Sequence, residues 1–186
     1  MISGLEILKT RTYNSTDVRK TLFSVARTVP TYEIELCTVE MGGINYVNGE
    51  AYPSEVGRIL VAHPGQRRYT KGHFECQFVH FICHDREFED KYLRPLPVSL
   101  RLCDETRAPH IFRAMTGAWA KREDGYELYC IGKLMELISA IYSAGKLLGS
   151  IDEKYRRFSH NIIIATEFMR ENFASPLTLN DIAMSA

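Results

Sequence analysis

The stretch Phe74-Glu75-Cys76-Gln77-Phe78-Val79-His80-Phe81-Ile82-Cys83 decides the fold class that this sequence predicts. Its residues fall into two alternating sets, and both sets become largely apolar towards the end of the run. Successive side chains of a strand point to opposite faces, so a strand with this pattern is covered on both sides. The run therefore predicts an interior strand of a β-rich domain.

Shorter β-rich runs surround this strand. They occupy residues 21–26, 33–39, 44–47 and 58–63, and turn residues separate them. The Asn48-Gly49 pair can supply the positive φ angles of a type I′ turn and predicts a tight hairpin. The Pro64-Gly65 pair breaks the chain after the next strand. Many short strands with regular turns are typical of a sandwich or barrel, so we expect a mainly β domain over residues 1–104.

The hydrophobic period becomes helical over residues 105–149. Pro109 fits the first turn of a helix whose apolar face carries Ile111, Phe112, Met115 and Trp119. Asp124-Gly125 then interrupts the pattern. A longer helix follows, with Gly145 or Gly149 expected to end it. Its stripe contains Leu128, Ile131, Leu134, Met135, Ile138, Ile141 and Tyr142. The sequence thus predicts an antiparallel helix pair after the strands.

The C-terminal part predicts two further helices. Residues 150–157 are polar and charged, as in a linker, and a helical face then carries Ile162, Ala165, Met169 and Phe173. Pro176 marks a turn. Thr178 and Asp181 form a cap signature for the next helix, because the hydroxyl and the acid can each accept from an unpaired amide. Two helices joined by a short turn are half of a DNA-reading module, over residues 158–186.

Composition limits the function classes. Lys plus Arg number 23 and Asp plus Glu number 23, so the bulk of the chain lacks the basic character of nucleic-acid-binding domains. No apolar run approaches the ~20 residues that span a membrane, and the N-terminus shows no signal-peptide pattern. The five cysteines are widely spaced without a C-x-x-C, as expected of reduced thiols. We therefore expect a cytoplasmic protein without membrane contact.

Motifs of catalysis are absent from the sequence. It has no G-x-S-x-G, no glycine-rich phosphate loop and no H-E-x-x-H, and Gly42-Gly43 is more typical of a turn or bulge. No histidine lies between Thr28 and Gly57, and the later histidines are scattered. We therefore expect no metal, no cofactor and no catalytic residues.

Two segments carry a resemblance to a known family. The run from Gly57 to Pro64-Gly65 resembles the second motif of the cupin barrel, in which a glycine starts a strand and a Pro-Gly turn ends it. The run Phe168-Met169-Arg170-Glu171-Asn172-Phe173, with Pro176-Leu177-Thr178-Leu179 and Ile182-Ala183, resembles the start of the C-terminal domain of the arabinose-regulator (AraC) family. Together with the helix pair, the resemblance covers nearly the whole chain.

The resemblance implies a bacterial transcription regulator. It implies a cupin-like jelly-roll barrel that binds a small-molecule effector, a helix pair that forms a homodimer, and a DNA-binding domain with two helix-turn-helix motifs. Only the first helix and the start of the second are present, so we expect DNA contact only through a region beyond Ala186. The implied dimer contact lies on the helix over residues 126–147, at Ile131, Leu134, Met135, Ile138, Ile141 and Tyr142.

The resemblance also implies where the effector would bind: Tyr32, Thr38, Glu40, Tyr69, Cys76, Phe78 and His80. Ordinary barrel core is the alternative for each. Arg67-Arg68 could attract an anionic effector, although an exposed arginine pair is usually a solvated rim. Two other functions stay open: a metal-free cupin-type enzyme, for which Glu40 and His80 form the only acid–base pair, or an oligomerisation module without ligand.

Overall fold

The computed structural model describes residues 4–172 and 177–185, with side chains described for residues 4–147 and for scattered positions after them. It divides into two compact units, Met1–Gly145 and Lys146–Ala186. The described residues contain seven strands: β1 (Leu5–Asn14), β2 (Arg27–Thr28), β3 (Tyr32–Val47), β4 (Glu50–Pro53), β5 (Ile59–Ala62), β6 (Arg67–Cys83) and β7 (Ser99–Leu100).

All seven strands belong to one antiparallel sheet. Its order is β1-β6-β3-β5-β7, with β2 paired to β6 and β4 paired to β3. The prediction of a β-rich N-terminal region followed by helices is confirmed at this level. The long strand β6, which contains the stretch 74–83, lies between β1 and β3, as its two apolar faces predicted.

Several strand boundaries differ from the prediction. Residues 33–39 and 44–47 belong to the single strand β3, which bends at a bulge where His73 faces both Met41 and Gly42. Residues 21–26 form no strand beyond a bridge between Phe23 and Lys71. This segment runs beside β6, where the Ser24 amide donates to the Thr70 carbonyl oxygen and the Thr70 amide donates to the Ser24 hydroxyl. The strand β1 was not predicted at all.

The Asn48-Gly49 hairpin is confirmed. Asn48 has φ 50° and Gly49 has φ 91°, and the flanking residues Val47 and Glu50 pair across the turn. These are the positive angles that a two-residue type I′ turn needs to match the twist of its strands.

The helices that follow the sheet supply the other side of its core. They are α3 (Arg107–Lys121) and α4 (Tyr126–Glu171). Shorter helical turns come earlier in the chain: α1 (Ser15–Val18), α2 (Arg86–Phe88) and a π-helical turn over Glu89–Leu93. Burying one large apolar side chain contributes about 1.5–3 kcal/mol. The core contains apolar side chains from β3, β6, α3 and α4. They include Ile34, Leu36, Val79, Phe81, Ile111, Phe112, Met115, Leu134, Leu137, Ile138 and Ile141.

The break between α3 and α4 is as predicted. Arg122 ends α3 in the left-handed conformation at φ 54°, and Gly125 follows at φ 80° before α4 begins. Pro109 lies in the first turn of α3. Across the break, the thiol of Cys130 donates to the Met115 carbonyl oxygen at 3.4 Å, which ties the two helices together.

The predicted end of the second helix is wrong. Helix α4 continues to Glu171, through Gly145, Gly149 and the stretch 150–157 that the sequence presented as a linker. Gly145 has another role: a Cβ there would lie 2.9 Å from Cδ of Pro97, so glycine allows a close approach of helix and loop. The charged stretch is rich in Glu, Lys and Arg, which favour helix, and this propensity outweighs its linker-like polarity. The division into domains stays a prediction.

The predicted cap of the last helix is confirmed. Helix α5 covers Leu179–Ser185. The Asp181 amide donates to the Thr178 hydroxyl at 3.2 Å, and the Thr178 amide donates to the Asp181 carboxylate at 2.9 Å. This is the reciprocal capping box. Phe173 and Pro176 lie outside the described residues. No helix in the described ranges has the length and apolar character to cross a membrane.

Candidate functional site

The sheet face opposite the helices carries charged side chains in its interior. On β3, Tyr32 and Ile34 face the helical core, while Glu33 and Glu35 alternate with them and point to the other face. Glu33 lies opposite His80 on β6, and Glu35 lies opposite Phe78. Two carboxylates thus project from the middle strand onto one side of the sheet.

Arg68 neutralises both carboxylates. Its Nη1 donates to Glu33 at 2.9 Å and to Glu35 at 2.7 Å, and its Nη2 donates to Glu35 and to the Asn45 side-chain oxygen. Arg27 adds two parallel hydrogen bonds of 2.7 Å to Glu33. Such bidentate pairs fix position as well as charge. The result is a network of two guanidinium groups and two carboxylates.

The charged groups of this network interact strongly, because burial keeps water from screening them. Arg68 is 4% exposed and Glu33 is 1% exposed. Burial alone would raise the pKa of Glu33, but hydrogen bonds from Arg27 and the charge of Arg68 hold it below its usual value. Burial would lower the pKa of Arg68, yet Glu35 and Glu33 raise it. Glu33 and Arg68 are therefore both charged at neutral pH.

A cavity of about 240 Å³ opens beside the network. Pockets for drug-sized ligands measure about 300–1,000 Å³, so this cavity suits a smaller molecule. Strands β1, β3 and β6 and the segment 15–28 form its walls. Its lining residues are Lys9, Arg11, Tyr13, Arg19, Ser24, Arg27, Glu35, Arg68, Tyr69, Thr70, Phe74, Phe78 and His80.

The cavity wall has an excess of positive charge. Arg27 and Arg68 are balanced by Glu33 and Glu35. The other three lining cations, which are Lys9, Arg11 and Arg19, form no ion pair with a described carboxylate. The whole chain has a formal net charge of zero, so this excess is local.

His80 contributes a neutral polar group. Burial lowers its pKa, and the nearby carboxylates of Glu33 and Glu35 oppose that effect without cancelling it. Ligand atoms of His80, Glu33 and Glu35 lie within 4.8 Å of one another, a spacing that one metal ion could bridge. The carboxylate oxygens already accept from Arg27 and Arg68, so an ion would have to compete with two guanidinium groups. The donor set fits the arginine network better than a metal.

The structure brings some of the predicted ligand-binding residues together. Tyr69, Phe78 and His80 line the cavity. Cys76 lies next to it in a small buried cluster that contains Phe78. Whether these four bind an effector stays a prediction.

The other three predicted residues lie elsewhere. Tyr32 packs in the helical core, where it stacks on Phe81 at 5.4 Å, and its hydroxyl donates to Glu89 at 2.8 Å. The Thr38 hydroxyl donates to Glu75, and Glu40 is exposed opposite Phe74. Bulges in β3 after Cys37 shift the face on which these later residues lie.

The acid–base pair considered from the sequence does not form. His80 pairs with Glu33, which precedes Glu40 by seven residues on β3. At about 3.3 Å per residue, that separation is on the order of 20 Å. Glu40 is therefore out of reach of His80.

The predicted dimer face is mostly part of the internal core. Leu134, Ile138 and Ile141 are at most 3% exposed, because they pack against the sheet and α3. Ile131 is half-buried. Met135 and Tyr142 are half-buried and pack against the same core. Leu134, Ile138 and Ile141 therefore offer little surface to a second copy, and a dimer through α4 stays a prediction. The exposed apolar side chains near the start of α4 are Leu128 and Tyr129.

The sequence interpretation missed the charged network. It treated Arg67-Arg68 as a solvated pair, but only Arg67 is exposed, while Arg68 is buried. The two-residue period of Tyr32-Glu33-Ile34-Glu35-Leu36 was a usable signal. It places two acids on one face of an otherwise apolar strand, which requires cations nearby.

The sequence matches no protein-family model, and a search among curated proteins returns no match.

Proposed function

We propose that this protein is the effector-sensing and dimerising portion of a bacterial transcription regulator of the AraC type, and that the cavity is the effector site. The observation that carries the proposal is the cavity itself, whose lining combines charged side chains with aromatic rings. A binding pocket of this kind combines apolar walls with a few placed polar groups. The proposal includes a cytoplasmic location and the absence of catalytic turnover.

Two local features support the family assignment. Gly57 has φ 80° before β5 and Gly65 has φ 86° after it, as a cupin-type strand between a glycine and a Pro-Gly turn requires. On this basis we propose that the sheet is a cupin-like jelly roll. The capping box of Thr178 and Asp181 starts a helix where the family has its first helix-turn-helix.

The proposed mechanism is a population shift. A ligand that binds one arrangement of the sheet and its surrounding segments more tightly increases the population of that arrangement. In a dimer, the change would alter how two DNA-binding domains are presented. The segment 15–28 is a suitable moving part, because Arg19, Ser24 and Arg27 contribute to the cavity wall from a stretch with little regular structure.

The test compares two variants of one cavity residue. Ser24→Trp fills the cavity, whereas Ser24→Ala leaves it open and removes the same hydrogen bond to the Thr70 amide. Thermal unfolding is measured with a panel of sugars, amino acids, organic carboxylates and their amides. We expect at least one compound to stabilise the wild type and Ser24→Ala but not Ser24→Trp, and to be recovered unchanged. Conversion of a bound compound, or no response to the whole panel, would overturn the sensor assignment.

A further inference from the structure

One donor in the cavity wall has no partner among the described residues. Arg19 uses its Nη1 to bond the carbonyl oxygens of Leu22 and Thr70, at 3.1 and 3.3 Å, and its Nη2 to bond the Gly72 carbonyl. Its Nε is buried and makes no hydrogen bond to any described residue. Buried donors are almost always paired in folded proteins. Backbone carbonyls thus hold the Arg19 guanidinium in the cavity wall, and no described carboxylate neutralises its charge.

Two further cations reach the same cavity from β1. Lys9 Nζ lies 5.6 Å from the centre of the Phe78 ring, and the Arg11 guanidinium carbon lies 5.8 Å from it. Neither side chain is paired with a carboxylate in the described part of the chain. Contact with a ring face holds these cations beside the cavity without neutralising them. An anion would find three positive charges here that no described carboxylate neutralises.

The remaining walls favour an organic ligand over an inorganic ion. Tyr13, Tyr69, Phe74 and Phe78 place ring surfaces along the cavity. The Tyr69 ring is itself held by stacking on Tyr46, with centroids 4.6 Å apart and an interplanar angle of 5°. A bare anion would leave these rings without a contact, whereas a flat apolar body would cover them.

We propose that the cavity binds a small organic carboxylate with a flat apolar body, and this inference rests on the proposed function of the same site. The carboxylate lies in the field of Arg19, Lys9 and Arg11, the three lining cations that no described carboxylate pairs. Glu35 stays bound to Arg68, so it does not need to be displaced. The ring of the ligand packs against the aromatic wall.

The first experiment compares matched probes on the full chain. Benzoate, salicylate and phenylacetate are titrated by calorimetry and by amide chemical shifts, beside benzamide and inorganic phosphate. We expect at least one carboxylate to bind at least roughly tenfold more tightly than benzamide, because a hydrogen bond to a charged group is worth that factor or more. Raising the salt from about 0.1 M to about 1 M should weaken the binding, because the screening length falls from about 10 Å to about 3 Å.

The second experiment uses variants that remove one positive charge each. Arg19→Gln should lower the affinity for the binding carboxylate roughly ten- to a hundredfold. Lys9→Gln and Arg11→Gln alter exposed side chains, so they test the role of positive charge even if Arg19→Gln disturbs folding. Arg67→Gln is the control, because Arg67 is an exposed neighbour on β6 that does not line the cavity. It should leave the affinity unchanged.

The outcomes separate the two proposals. Equal binding of benzamide and benzoate, preference for phosphate alone, or equal losses in Arg67→Gln and Arg19→Gln would overturn the carboxylate assignment. In those cases a response to sugars or amino acids that Ser24→Trp abolishes would leave the sensor assignment standing. Failure of all probes, neutral and charged, would overturn both.

Discussion

Arg68 donates a 2.9 Å hydrogen bond to Glu33 on the sheet face opposite the helices, where the two residues are 4% and 1% exposed. Taking two ions out of water costs several kcal/mol each. The attraction between the ions largely offsets this desolvation cost and leaves little net stabilisation. The pair is therefore a device for orientation more than for stability. It holds Glu35 and Arg68, which both line the cavity, in one arrangement. The proposed binding site is therefore formed before its ligand arrives.

Removing Arg68 should be strongly destabilising, because it leaves Glu33 and Glu35 buried without their shared partner. We expect Arg68→Met to lower the free energy of unfolding by about 3–5 kcal/mol. Urea unfolding measures it, with Arg67→Met as the control, which should change stability by no more than about 0.5 kcal/mol. Equal effects of the two variants would mean that Arg68 is not buried in solution.

The position of the dimer contact can be tested with two leucines of α4. Leu134 is fully buried, so Leu134→Glu should cost about 4 kcal/mol or more and unfold the domain. Leu128 is 57% exposed, so Leu128→Glu should change the unfolding free energy by no more than about 0.5 kcal/mol relative to the wild type. If a dimer forms through this face, the same substitution should dissociate it. Sedimentation of both variants measures mass and folding together. An unchanged dimer mass in a folded Leu128→Glu protein would place the contact elsewhere.

Stability should fall as the pH drops below neutrality. Burial holds the pKa of His80 below its ordinary value of 6.5 in the folded protein, so the unfolded chain takes up the proton at higher pH. The stability linked to neutral His80 is complete above about pH 6.5 and is lost as pH falls towards the folded pKa. His63, whose pKa burial also lowers, adds a contribution of the same sign.

The check on this pH dependence is a matched histidine pair. Thermal unfolding is followed between roughly pH 8 and pH 5, where histidine changes charge. His80→Gln should show a smaller loss over this interval than the wild type. His110→Gln alters an exposed histidine on α3 and should keep the full loss. Identical curves for wild type and His80→Gln would show that His80 does not contribute to the pH dependence of stability.

Features set by local sequence were predictable here. The Asn48-Gly49 turn, the break before Tyr126 and the Thr178–Asp181 cap depend on neighbours along the chain, and all three are present. The cavity was not predictable in this way. Arg19 and Arg68 come from segments 49 residues apart in sequence, and only the pairing of distant strands brings them to one wall.

The helix stripe shows a different limit of the sequence. Apolar residues at helical spacing report that a face is buried, but they do not say whether its partner is the same chain or a second copy. Ile138 and Ile141 face their own sheet. The pattern was right about burial, and contact of this helix with a second copy stays a prediction.

Two glycines of α4 test why the helix passes through Gly145. An alanine Cβ at position 145 would lie 2.9 Å from Pro97 Cδ, an atom of a rigid ring, whereas one at Gly132 would meet nothing within 4 Å. Alanine in a helix is favoured over glycine by up to about 1 kcal/mol, and overpacking costs about 1–3 kcal/mol. We therefore expect Gly132→Ala to stabilise the protein by about 0.5–1 kcal/mol, and Gly145→Ala to be neutral or to destabilise it by up to about 2 kcal/mol. Urea unfolding of both variants decides the matter. Equal stabilisation by the two alanines would show that α4 does not contact the Pro97 loop closely, and that Gly145 is instead a weak point of the helix.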